Sequence, residues 1–185
     1  MNDLIHSYVI LKPDYWDLNL NGNERFQGYR LTPNGTAEPA LLRMPDLDFS
    51  STGNVIKHTP RIGYVTNIQD FEIEGQTVRR AVVQTSFYFP RYRHGDYELI
   101  DPSWLTTFKV VLRPDANVDE EGCLGNPSEF KLGEIIEDTT DPDNNSFMIH
   151  ELKSRLESEY NTHDLLFLPD AMYEALQTAV PLTLV

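Results

Sequence analysis

Side chains capable of chemistry are plentiful in this 185-residue chain, but few stand at the spacings that chemistry demands. His150-Glu151-Leu152-Lys153-Ser154 opens like the zinc-protease helix, in which two imidazoles four residues apart share one face and hold the metal. Here Ser154 stands where the second histidine belongs. Asp141, Asp143 and Asn145 have the alternating spacing of a calcium loop. Pro142 intrudes, Ser146 replaces the turn glycine, and Leu152 takes the place of the bidentate glutamate. Cys123 lies beside Glu120, Glu121 and Gly122, where carboxylates disfavour the thiolate, and there is no Gly-x-Ser-x-Gly elbow. No glycine-rich loop leads into a helix, so phosphate has no cradle. The histidines, at positions 6, 58, 94, 150 and 163, are scattered. The expectation is therefore no catalytic residue, no metal ligand and no cofactor. A site built from dispersed carboxylates and histidines would instead need a deep pocket where two acids and a histidine converge.

Charge is the stronger signal. The net charge is −14, and residues 1–92 hold 9 Lys/Arg against 10 Asp/Glu while residues 93–185 hold 6 against 19. Residues 114–145 concentrate ten acids (Asp115, Asp119, Glu120, Glu121, Glu129, Glu134, Glu137, Asp138, Asp141 and Asp143) against Lys131 alone. Such a surface repels phosphate backbones, which are bound by Lys and Arg displacing counterions. It suits a basic protein partner or the mimicry of nucleic acid, although a solvated loop that only confers solubility has the same composition. Tyr88, Arg91, Tyr92, Arg93 and His94 form a basic-aromatic cluster of the kind that stacks on single strands. In so acidic a chain, its arginines are the natural internal partners of the acids, so no direct nucleic-acid contact is expected.

The elements that would carry these groups are mostly strands. Val78–His94 has the strongest β character, with Ala81, Val83, Phe87 and Phe89 on one face, and reads as the central strand of an antiparallel sheet. Leu4–Lys12, Arg25–Leu31, Val55–Lys57 and Ile62–Thr66 are further strands. Leu41 to Leu47 is confined between prolines to a turn of helix at most. Phe71–Arg80 reads as a hairpin turning at Gly75-Gln76, which sets Ile73 opposite Val78 and Glu72 opposite Arg79. Arg91–Asp101 reads as a loop, and Trp104–Arg113 as a long strand beside Val78–Phe89. Phe130, Leu132, Ile135 and Ile136 fit a short helix or a strand equally. Ser146 caps an amphipathic helix bearing Ile149, Leu152, Leu156 and Tyr160. Asp164–Leu168 is a buried strand, and Pro169 opens a last helix, Asp170–Thr178. The expected class is α+β in one domain, residues 1–185: a predominantly antiparallel sheet of about six to eight strands with two C-terminal helices packed on it. Residues 1–113 form its strand-rich part, 114–145 an acidic loop-rich segment, and 146–185 a helix-strand-helix end. No apolar run approaches the roughly 20 residues that cross a bilayer. The N-terminus lacks a signal-peptide pattern, and one cysteine makes no internal disulfide, so a cytoplasmic protein without a membrane partner is expected.

Two stretches, Tyr8-Val9-Ile10-Leu11-Lys12-Pro13-Asp14 and Leu165-Leu166-Phe167-Leu168-Pro169-Asp170-Ala171-Met172-Tyr173-Glu174-Ala175-Leu176, resemble the immunity proteins encoded beside bacterial polymorphic toxins. The resemblance covers about a tenth of the chain and transfers no functional residue. It implies a non-enzymatic cytoplasmic inhibitor that binds and neutralises one toxin domain. Charge implies that this partner is basic and that Asp119, Glu120, Glu121, Glu129, Glu134, Glu137, Asp138, Asp141 and Asp143 meet it. The competing reading is an acidic DNA mimic of phage or plasmid origin that occupies a host defence enzyme.

Overall fold

The computed structural model describes residues 4–12, 15, 27–42, 62–85, 97–112, 133–140, 156, 158–160 and 165–183. Its sheet grows from one long hairpin, Gly63–Ile73 (β4) and Gln76–Gln84 (β5). The turn is Glu74-Gly75, with φ of 52° and 78°, the double left-handed conformation whose twist matches the flanking strands. The ladder therefore pairs Ile73 with Gln76, Glu72 with Thr77, Phe71 with Val78 and Asp70 with Arg79. This corrects the register expected from a Gly75-Gln76 turn. A glycine second in the turn, after a glutamate that accepts positive φ, sets Phe71 rather than Ile73 against Val78. The Asp70–Arg79 pair, at 3.5 Å, is more than half exposed on both sides and contributes little.

A bulge at Thr66, whose hydroxyl donates to the Val82 carbonyl at 3.2 Å, shifts the register between Val65 and Asn67. It also changes which face is buried. Val65 and Ile68 join one core, whereas Phe71 and Ile73 join another with Val82 and Leu99.

The larger sheet adds Tyr8–Leu11 (β1), Gln27–Leu31 (β2), Ala37–Leu41 (β3), Tyr97–Ile100 (β6) and Leu105–Thr106 (β7), in the order β3-β2-β6-β5-β4-β1-β7. The Tyr29 hydroxyl on β2 donates to Glu74 Oε1 at 2.9 Å in the β4–β5 turn, closing one end of the apolar cluster of Phe71, Ile73, Val82 and Leu99. Two of these strands were not expected. Tyr97–Ile100 lies within a predicted loop because Glu98, only 2% exposed, breaks its apolar pattern, yet it pairs with Val83 and Arg30 in mid-sheet. Ala37–Leu41, where no strand is expected, forms an edge, and Pro39 is tolerated there because an edge strand needs no outward N–H; residues 43–47 of the expected helical turn lie outside the described residues.

Trp104–Arg113 is not one strand beside β5. Trp104 ends a short 3-10 helix, Pro102–Trp104, capped by Asp101, whose carboxylate accepts the Ser103 N–H. Leu105–Thr106 pairs with β1. After Thr107 the chain re-enters as Phe108–Leu112 (β8) in a second sheet of order β10-β8-β9, with Leu165–Pro169 (β10) and Ile135–Asp138 (β9). The two sheets are joined directly through Thr107, between β7 and β8, and β1, β8 and β10 bury residues on both faces. Val9, Leu11, Val111, Leu166 and Leu168 face one core, and Tyr8, Ile10, Phe108, Val110, Leu165 and Phe167 face the other.

Pro169 ends β10 without breaking it. The Asp170 N–H donates to the Thr107 carbonyl, so the neighbouring Pro169 nitrogen points away from β8 and no ladder bond is lost. The C-terminal helix, Asp170–Thr183, follows directly and buries Tyr173 and Leu176; Met172 is half-buried and Ala175 exposed. Of the helix expected after Ser146, residues 156 and 158–160 are described. Leu156 is buried against the second core and its carbonyl accepts the Tyr160 N–H at 3.0 Å. Predominantly antiparallel sheet with a C-terminal helix is thus the architecture. Phe87, Phe89, residues 55–57 and the remainder of the expected Ser146 helix lie outside the described residues.

One packing consequence is testable. A Cβ on Gly28 would lie 2.5 and 2.7 Å from Cδ1 and Cγ of Leu42, itself 3% exposed. Gly28→Ala should cost about 1–2 kcal/mol in urea unfolding, because Leu42 can retreat only by leaving its rotamer.

Candidate partner interface

The acidic segment reaches the described fold through β9, the edge of the smaller sheet. Three devices hold that strand. At its start, Gly133 lies so close to Leu112 that a Cβ would overlap the carbonyl oxygen and come within 2.8 Å of the carbonyl carbon. The approach lets the Leu112 N–H donate to the Glu134 carbonyl at 2.9 Å. In the middle, a register shift between Val110 and Val111 leaves Ile136 as the extra residue. At the end, buried Thr139 clamps Phe108 three times. Its N–H and its hydroxyl both donate to the Phe108 carbonyl, at 3.0 and 2.7 Å, and its hydroxyl oxygen accepts the Phe108 N–H at 2.6 Å. Thr139→Val removes two of these bonds and leaves a buried N–H unsatisfied. It should cost about 1–3 kcal/mol, with faster hydrogen exchange at the Phe108 amide as the specific readout.

Beside this clamp, one lysine organises three elements. Lys109 Nζ on β8 lies 3.1 Å from Asp170 at the start of the C-terminal helix and 3.5 Å from Asp138 on β9. It also donates to Thr140 Oγ1 at 3.4 Å and sits 5.0 Å above the Tyr173 ring. Asp170 additionally accepts from the Thr107 hydroxyl, and Asp138 accepts from the Thr140 N–H and hydroxyl. Burial alone would lower the Lys109 pKa. The Asp170 hydrogen bond and the charges of Asp170 and Asp138 outweigh it, and the net shift is upward. A cation held this way, with its donors spent on three oxygens, is a cross-link and not a general base.

The geometry sorts the acids that the sequence grouped together. Glu134 is exposed and stands next to Ile135, which is 41% exposed. Asp138 is committed to Lys109 and Thr140. Glu137 is 4% exposed, opposite Val110 on the face that carries Phe108 and Leu165, so it is not available to a partner in this fold. Asp119, Glu120, Glu121, Glu129, Asp141 and Asp143 lie outside the described residues, as does the cluster of Tyr88, Arg91, Tyr92, Arg93 and His94. Three earlier arginines are described. Arg79 pairs with Asp70, Arg30 pairs with Glu38 at 3.2 Å, and Arg80 donates to the Arg79 carbonyl.

No protein-family model, curated protein or solved structure matches this chain. Among the described residues, no three His, Cys, Asp or Glu side chains gather as a metal site requires, and no helix is long and apolar enough to cross a membrane. His6 is the one histidine described. It is exposed, with φ of 65°, its ring tilted against Tyr64 at 6.4 Å and Nδ1 3.5 Å from the Tyr64 hydroxyl. Burial pushes the Tyr64 pKa up, which keeps that phenol protonated and makes it a poor base.

Sequence reasoning missed Lys109, Thr139, Gly133 and Asp170 as the residues that mount the acidic edge. A lone lysine on an otherwise apolar strand, Phe108-Lys109-Val110-Val111-Leu112, was the available signal, because such a cation must find carboxylates as it is buried.

Proposed function

We propose that this chain is a non-enzymatic inhibitor, of the kind made as toxin immunity proteins, that binds and neutralises a toxin domain with a basic surface. The observation that carries the reading is the firmly mounted edge strand β9, with exposed Glu134 and Ile135, inside the segment that holds most of the charge imbalance. A fixed acidic rim with an apolar residue beside it suits charge-steered docking. The carboxylates set association rate and partner choice, while apolar contact slows dissociation. Asp138, bound to Lys109, and Glu137, buried, stay out of the interface, which leaves Glu134 with Asp119, Glu120, Glu121, Glu129, Asp141 and Asp143 as the contact acids.

The test uses the purified product of the reading frame adjacent to this one, with association followed by stopped flow over a range of salt. Binding is expected to slow as salt rises, and Glu120→Lys, Glu121→Lys and Glu134→Lys together should reduce the low-salt association rate about tenfold or more. An association rate and salt slope indifferent to the triple reversal would remove the acidic segment from the interface. Equal binding to unrelated DNA-binding proteins would favour a nucleic-acid mimic instead.

A further inference from the structure

We draw no further inference here: the strongest candidate, the outer edge of strand β9 with exposed Glu134 and Ile135, belongs to the interface already described, and nothing in the structure shows what covers it.

Discussion

Lys109→Met is expected to lower folding stability by about 3 kcal/mol near neutral pH, read from the midpoint of urea unfolding at unchanged slope. Methionine keeps an aliphatic stem for Tyr173 to pack on, so the charge is the main thing lost. Asp138 and Asp170, which both lay within 3.5 Å of the ammonium, are left facing one another without a counter-ion. Removing one partner of a buried pair typically costs about 3–5 kcal/mol. The low end applies because the two aspartate side chains retain 24% and 19% exposure, which lets water offset part of the penalty.

The pH dependence separates this mechanism from a simple packing defect. The Lys109 pKa is raised in the folded protein, so its stabilisation is fully present below the unfolded lysine value, about 10.4, and is lost as pH rises through the folded one. Tyr64, also raised, loses stability over the same alkaline range, so the informative quantity is the difference between wild type and variant. That difference should be largest between about pH 6 and 9 and shrink above about pH 10.5, as the wild type loses its cation. Adding Asp170→Asn to Lys109→Met should recover part of the loss, since one of two repelling charges is gone. A cost below about 0.5 kcal/mol that does not vary with pH would mean that the cluster behaves as an ordinary exposed ion pair.

The parts of the fold legible in the sequence were those where one rule acted alone. Leu165–Pro169 is an apolar run bounded by polar residues, and it is a strand buried on both faces. The start of the last helix follows from Pro169-Asp170, because proline's fixed φ suits entry to a helix and aspartate favours a helix N-terminus. The hairpin at Glu74-Gly75 was visible as a hairpin, but its register was not. Two adjacent turn placements each gave an apolar pair beside a charge pair, and only the backbone preference for positive φ at both central residues decides between them.

Misreadings arose where tertiary pairing overrode the pattern. Glu98 hid a mid-sheet strand, because a charged residue in a four-residue run reads as loop until its neighbours are known. Thr107 split what looked like a single strand, since alternation continues across a bend that moves the chain from one sheet to another. The candidate interface shows the same limit. Composition located the acidic segment, but it could not distinguish Glu134, which faces solvent, from Glu137, which is buried, or from Asp138, which is bound to Lys109. Those differences depend on the bulge at Ile136, a feature with no signature in the residues themselves.

Gly133→Ala is the second variant with a large expected effect, and it tests the mount of that edge independently of charge. The added methyl would meet the carbonyl oxygen and carbon of Leu112, which are backbone and cannot swing aside as a side-chain tip can. Relief requires β9 to move off β8, which breaks the bond from the Leu112 N–H to the Glu134 carbonyl. The cost should reach about 3 kcal/mol, the upper end of the usual range for overpacking. Native-state hydrogen exchange gives the decisive pattern. The Leu112 amide should lose most of its protection, whereas the Phe108 amide, clamped by Thr139 at the other end of the strand, should lose less. If β9 presents the contact acids, Gly133→Ala should also weaken capture of the basic partner without altering net charge, and chiefly by faster dissociation, because steering survives while the docked geometry does not. Unchanged protection at Leu112 would show that the close approach is not kept in solution. Lost protection with undiminished affinity would separate the mount from binding and move the interface to another part of the acidic segment.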